Sequence, residues 1–155
     1  MTVRLAWHNT NKKKDIILTK MIINRLKKGY LKFILMHFTT LVPSVFYTNI
    51  KDGLTMFVDC LGFTIGHEEF NSPAPFCVLK KDGLQMMLFE SKEYAEQHSP
   101  EFRLVTNNIE EVYAKVSGTH PQLLHPNLSK ITLRPWGAKE FALMDHQLGI
   151  IIQQW

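Results

Sequence analysis

Residues 49–63, NIKDGLTMFVDCLGF, decide how the rest of the chain is read. Asn49 carries a side-chain oxygen able to cap the first backbone N–H groups of a helix. From Asp52 to Leu61 the residues Leu54, Phe57, Val58 and Leu61 recur at helical spacing, which predicts a helix with one apolar face. Gly62 supplies the stop, because glycine takes a left-handed cap without steric cost. The same opening returns at residues 108–116, NIEEVYAKV, with Asn108 as cap and Ile109, Val112, Tyr113 and Val116 as the apolar face. Gly118 is the expected stop there. The two openings lie about 59 residues apart.

Outward from each helix the pattern is that of short strands rich in β-branched and aromatic residues. Before the first helix, Thr39 to Tyr47 reads as a strand, with Pro43 marking an edge or an irregularity. After it come Phe63 to Phe70, Ala74 to Lys80 and Leu84 to Glu90. Asp82-Gly83 between the last two is a hairpin signal. The second unit offers Phe102 to Thr106, then Leu128 to Leu133, Glu140 to Met144 and Ile150 to Gln154. Each unit therefore reads strand, helix, three strands. The expected fold class is α+β, with two βαβββ modules, about 38–91 and 101–155, forming an open, cup-shaped, eight-stranded mixed sheet with helices outside. A groove inside such a sheet is the natural place for a ligand.

The chain has 155 residues, 45% hydrophobic and 21% charged, which fits one globular domain plus an extension. No apolar run approaches the roughly 20 residues that span a bilayer. Two cysteines, Cys60 and Cys77, make no disulfide framework and read as reduced, buried thiols. Nine of the eighteen Lys and Arg fall in residues 1–35 beside a single acid, Asp15. The remainder of the chain is therefore net acidic, which argues against nucleic acid as its partner. The stretch from Asp15 to Leu35 could form a basic amphipathic helix, weakened at Gly29 by about 1 kcal/mol relative to alanine. Residues 1–35 read as an extension outside the functional protein, whose domain is expected to run from Met36 to Trp155.

The segment Met56-Phe57-Val58-Asp59-Cys60-Leu61-Gly62-Phe63 resembles the end of the first helix in the vicinal oxygen chelate superfamily, which includes glyoxalase I, bleomycin resistance proteins and extradiol dioxygenases. Pro135-Trp136-Gly137, Lys139-Glu140-Phe141-Ala142 and Asp145 to Ile152 are similar to the family's C-terminal motifs, so the resemblance covers residues 38–155. It implies the two-module fold and, in the family's enzymes, a divalent metal held by His, Gln or Glu on the first and fourth strands of each half. Carried onto this chain, those positions are Val42, Met87 or Leu88, Glu101, and Ile152. One oxygen donor among four does not make a metal site. The resemblance is therefore to the bleomycin-resistance-like branch, whose members sequester a bulky ligand without metal, cofactor or catalysis in grooves formed by two subunits.

Alternation along the strands puts Val42, Ser44 and Phe46 on one face of the first, and Glu101, Arg103 and Val105 on one face of the fifth. With Phe76 and the rim aromatic Trp136, the expected ligand-binding set is Ser44, Phe46, Phe76, Glu101, Arg103 and Trp136. Phe76, Met86, Met87 and Phe89 could line the pocket, although a Met and Phe stripe on a strand is more often core. His67, Glu69, His120 and His125 read as surface residues rather than ligands. The expected protein is a cytoplasmic, bacterial homodimer that holds a small or medium organic ligand, with an antibiotic of the bleomycin type as one candidate, and meets neither nucleic acid nor membrane through its body. The alternative is a metal-dependent lyase or dioxygenase in which a slip of one or two residues brings in His37, Glu90 or Gln153. A third reading is a structural or regulatory domain whose groove receives a partner.

Overall fold

The computed structural model describes residues 19–21, 23–24 and 38–155. Its backbone divides into two compact units, Met1–Leu41 and Val42–Trp155. In the first, Thr19 to Met21, Ile23 and Asn24 are helical and exposed. The rest of the amphipathic stretch expected over 15–35, together with Met36 and His37, lies outside the described residues. Among the described residues no helix is long and apolar enough to cross a membrane.

The second unit holds two modules of one topology. The first comprises β1 (Ser44–Tyr47), α1 (Ile50–Leu54), a π-helical turn (Thr55–Cys60), β2 (Thr64–Glu69), β3 (Phe76–Lys81) and β4 (Leu84–Glu90). A short helix, α2 (Lys92–Gln97), leads to the second: β5 (Glu101–Val105), α3 (Ile109–Thr119), a 3-10 turn (Pro121–Leu123), β6 (Thr132–Leu133), β7 (Lys139–Met144) and β8 (Gly149–Gln154). The strand orders are β1-β4-β3-β2 and β5-β8-β7-β6. In each module the first strand runs parallel to the last, and the other pairs are antiparallel. The α+β class and the repeated βαβββ order are as the sequence indicates. The single eight-stranded sheet expected from it is divided, in hydrogen bonding, into two four-stranded sheets.

Local chemistry explains most element boundaries. The Asn49 side chain accepts from the Lys51 N–H at 3.1 Å, and Asn108 accepts from the Glu111 N–H at 3.2 Å, so both caps hold. Gly62 has φ +74°, the left-handed stop. Asp82 (φ 49°) and Gly83 (φ 81°) make the two-residue hairpin between β3 and β4. Pro43 has no N–H to give a ladder; its carbonyl accepts from Met87 at 2.9 Å, and the strand proper begins one residue later, at Ser44 rather than Thr39. Gly118 does not end its helix: α3 runs on to Thr119, whose hydroxyl donates to the Lys115 carbonyl at 2.9 Å. The short helix α2 was not foreseen; Ser91 caps it, accepting from the Tyr94 N–H.

The first helix buries a different stripe from the one its spacing predicts. Ile50, Gly53, Met56, Phe57, Cys60 and Leu61 are buried, while Leu54 and Val58 are only partly so. From Gly53 the buried set keeps the ordinary helical spacing i, i+3, i+4, i+7, i+8, one residue out of phase with the predicted one. The end of the helix is π-helical, with the Leu61 N–H donating to the Met56 carbonyl at 3.1 Å, an i to i+5 bond. Gly53 lets the helix sit directly on the sheet: a Cβ there would stand 2.6 Å from the Tyr47 ring and 2.9 Å from Leu88. In the second module Tyr113 meets Phe141 edge to face at 5.2 Å. Val45, Tyr47, Leu79, Leu88, Ile109, Phe141, Leu143, Ile150 and Ile152 belong to one continuous core.

The modules are joined through that core and at the β7–β8 turn. Tyr47 Oη donates to Asp145 at 2.9 Å, and Asp145 in turn accepts from the Gln147 and Leu148 N–H groups at 2.7 and 2.9 Å. Cys60 and Cys77 are free and fully buried, as expected.

Two measurements test this packing. Gly53→Ala should lower the unfolding free energy in urea by about 1–3 kcal/mol, the usual cost of forcing extra volume into a filled core. Burial pushes the Cys60 and Cys77 thiols from 9.0 up to about 11, with Lys115 acting against the shift at Cys60 and a Leu88 backbone hydrogen bond against it at Cys77. The unfolded chain therefore loses thiol protons first, and stability should fall as pH rises from about 9 to about 11. A Cys60→Ala, Cys77→Ala double variant should show a flatter urea-midpoint profile across that window.

Candidate functional site

Each sheet has one face covered by helix and one left open, and the six residues singled out from the sequence divide between the two open regions. In the first module the register aligns Phe46 with Phe89 and Phe89 with Phe76 across β1, β4 and β3. The three rings form a ladder, with centroids 5.4 Å apart for Phe46–Phe89 and 5.7 Å for Phe89–Phe76. Tyr94, from α2, extends it at 4.9 Å from Phe46, and His67 extends it at 5.7 Å from Phe76. Ser44, Met87 and Val78 form the next row of the same face. The phenylalanines are half-buried, Ser44 is exposed and Tyr94 is 48% exposed. Five adjacent rings with solvent on one side form an apolar surface broad enough to receive a flat molecule.

In the second module the open face is built around a carboxylate. Glu140, on β7, is 1% exposed. Its Oε1 accepts from Gln153 Nε2 at 2.8 Å and Arg103 Nη1 at 3.3 Å, while its Oε2 accepts from Arg134 Nε at 2.9 Å. Strand geometry makes this possible: Glu140 lies opposite Gln153 on β8, and Gln153 lies beside Val105 on β5, two residues after Arg103. Arg103 also meets Glu101 at 3.5 Å. Arg134 precedes the turn Pro135-Trp136-Gly137, closed by the Gly137 N–H donating to the Arg134 carbonyl at 2.9 Å, with Gly137 at φ +94°. That turn brings the Trp136 ring to 5.5 Å from the Arg134 guanidinium. A carboxylate buried this deeply needs its charge and hydrogen bonds met, and two arginines and an amide supply both. The remaining N–H edges of the half-exposed arginines, beside an indole, can receive the acceptor groups of a ligand.

Glu101, Arg103 and Trp136 are thus brought into one polar cluster, and Ser44, Phe46 and Phe76 onto one apolar face. Sequence reading missed Glu140, Arg134 and Gln153 as partners, although a Glu and a Gln in two otherwise apolar strands were a usable signal. Of the residues weighed between pocket and core, Phe76, Met87 and Phe89 lie on the open face, while Met86 is buried on the other side. Tyr94 had no signal, because its helix was not foreseen.

The four metal positions carried over by resemblance can now be placed. Leu88 and Ile152 are buried core residues, so the open-face residues of β4 and β8 are Met87 and Phe89, and Ile151 and Gln153. With Val42 or Ser44 and Glu101 they offer one carboxylate, already beside an arginine, and this donor set does not fit a divalent cation. The alternatives do not converge either. Glu90 accepts from the Ile50 N–H at 3.0 Å, Gln153 holds Glu140, and His37 lies outside the described residues. His67 and Glu69 pair with one another at 3.4 Å on the exposed strand β2. No group of three or more His, Cys, Asp or Glu side chains arranged to hold a metal occurs among the described residues.

No protein-family model and no curated protein matches the chain. Solved structures do. A bleomycin-binding protein complexed with bleomycin aligns with 76% of this chain and 99% of its own, at 18% identity and a TM-score of 0.59. TioX from Micromonospora sp. ML1 aligns over 75% and 98%, at 12% identity and a TM-score of 0.62. A glyoxalase/bleomycin resistance protein/dioxygenase from Nocardioides aligns over 84% and 93%, at 11% identity and a TM-score of 0.61. The chain shares its fold with these structures.

Replacing Glu140 by alanine should cost about 2–3 kcal/mol in urea unfolding, because the two arginines and Gln153 lose a buried, charged acceptor. Lys139→Ala, next along the strand but exposed and paired only with exposed Glu110, should cost less than about 1 kcal/mol.

Proposed function

We propose that this protein binds a small to medium organic ligand on its open sheet faces, without a metal and without turning it over. The observation that carries the reading is the five-ring aromatic surface from Tyr94 to His67, on which the described chain lays no covering element. The polar cluster on the second module complements it, since arginine edges and an indole face suit a ligand that is flat in one part and rich in acceptors in another. Ser44, Phe46, Phe76, Glu101, Arg103 and Trp136 are the proposed ligand residues, joined by Phe89, Tyr94 and Arg134.

The likeness in fold to a bleomycin-binding protein complexed with bleomycin supports a binding role and makes bleomycin a first compound to try. The proposed assembly is a homodimer in which the aromatic face of one subunit and the arginine cluster of the other form a groove. This would cover apolar surface that each subunit leaves half exposed. The proposed working domain is residues 36–155, with the basic segment before it as an extension, in the cytoplasm of a bacterial cell.

Binding is tested with bleomycin and with 2-naphthoate, a minimal flat carboxylate, followed by tryptophan fluorescence and calorimetry. Phe89→Ala should weaken whichever compound binds by about threefold to tenfold, the worth of one aromatic contact at roughly 0.5–1.5 kcal/mol, and Arg103→Ala should do likewise. Retention of one metal per subunit in elemental mass spectrometry, with turnover of a lyase or dioxygenase substrate, would overturn the reading. In sedimentation the chain should run as a dimer, and Phe46→Arg should shift it to monomer.

A further inference from the structure

We infer a second binding site, distinct from the open faces, for an amphiphile with a carboxylate head and an apolar body. It is a cleft of about 390 Å³ between the modules, on their helix-bearing side, within the range of small-ligand sites. Leu61 and Phe63, after the first helix, supply apolar wall from one module. Leu104, Ile152 and Val112 supply it from the other, and the buried thiol of Cys60 also lines the cleft.

Two cations meet at its edge. The Nζ atoms of Lys115 and Lys81 stand 3.1 and 3.3 Å from the point that a Cβ on Gly62 would occupy. Lys115 comes from α3 and Lys81 from the end of β3, so both modules contribute. Neither ammonium is among the ion pairs formed by the described residues. Lys81 makes one long hydrogen bond, 3.4 Å, to the Gly62 carbonyl. The cleft also has two acids on its lining, Asp82 and Glu111. The Glu111 carboxylate is held by the Asn108 amide at 2.8 Å, and Asp82 belongs to the hairpin turn. Two ammonium groups drawn together at the edge of an apolar cleft repel one another until an anion joins them. Gly62 keeps the meeting point open, since any side chain there would fill it and would also strain the φ of +74°. The apolar walls accept the body of the molecule and the ammonium pair accepts its head.

The test is isothermal titration of the full chain with dodecanoate, dodecanol and dodecyltrimethylammonium, each below its micelle concentration. Dodecanoate should saturate at one molecule per chain and bind at least tenfold more tightly than the other two. Lys81→Gln and Lys115→Gln should each weaken it by about tenfold, while Lys51→Gln, an exposed lysine outside the cleft, leaves it unchanged. All three variants alter partly or fully exposed side chains, and circular dichroism checks that they fold. Equal affinity for dodecanoate and dodecanol, full affinity in the Lys81 and Lys115 variants, or no binding would each overturn the inference. Dodecanoate binding to Phe89→Ala and Arg103→Ala separates the two sites: neither residue lines the cleft, so both variants should bind dodecanoate unchanged.

Discussion

Each module has one principal helix and a sheet with two faces, and that shortage organises the molecule. The helix takes the face where Tyr47, Leu79 and Leu88, or Phe141, Ile150 and Ile152, alternate inward. Burial of these side chains provides most of the driving force, at roughly 1.5–3 kcal/mol for each fully buried large apolar group. The close seat at Gly53 shows how tightly the first helix is held: no Cβ fits between it and the Tyr47 ring. Everything proposed about ligands on the open faces concerns the surface that the helices cannot reach.

The two open faces have diverged in chemistry although the modules share a topology. One is aromatic and uncharged across its middle rows, with Phe46, Phe89 and Phe76 in register. The other carries a buried carboxylate between two arginines. A buried ion cluster is a poor way to gain stability compared with an apolar core of the same volume.

The fold was legible because its signals are local. Asn49 and Asn108 cap, Gly62 stops, Asp82-Gly83 turns, and each acts through its own backbone within a few residues. Gly118 misled for the same reason: a glycine late in a helix is a stop only if the chain leaves there, and α3 continues one residue further, to a threonine that bonds back along it. The helical stripe was misplaced by one residue because Leu54, Phe57, Val58 and Leu61 fit a 3.6-residue period as well as the buried Gly53, Met56, Phe57, Cys60 and Leu61 do, and spacing alone does not choose between two such phases.

The sequence by itself determined the order of elements, the repeat, and the alternation that puts Ser44 with Phe46 and Glu101 with Arg103, since side-chain direction on a strand depends only on parity. It also carried the burial of both cysteines. Tertiary structure alone decided which distant residues meet: Glu140 with Arg103 across 37 positions, Tyr94 with Phe46, and Lys81 with Lys115 around Gly62. Those meetings follow from strand register and from how the two modules pack. Register and packing are set by the summed fit of many side chains, so no short stretch of the chain contains them.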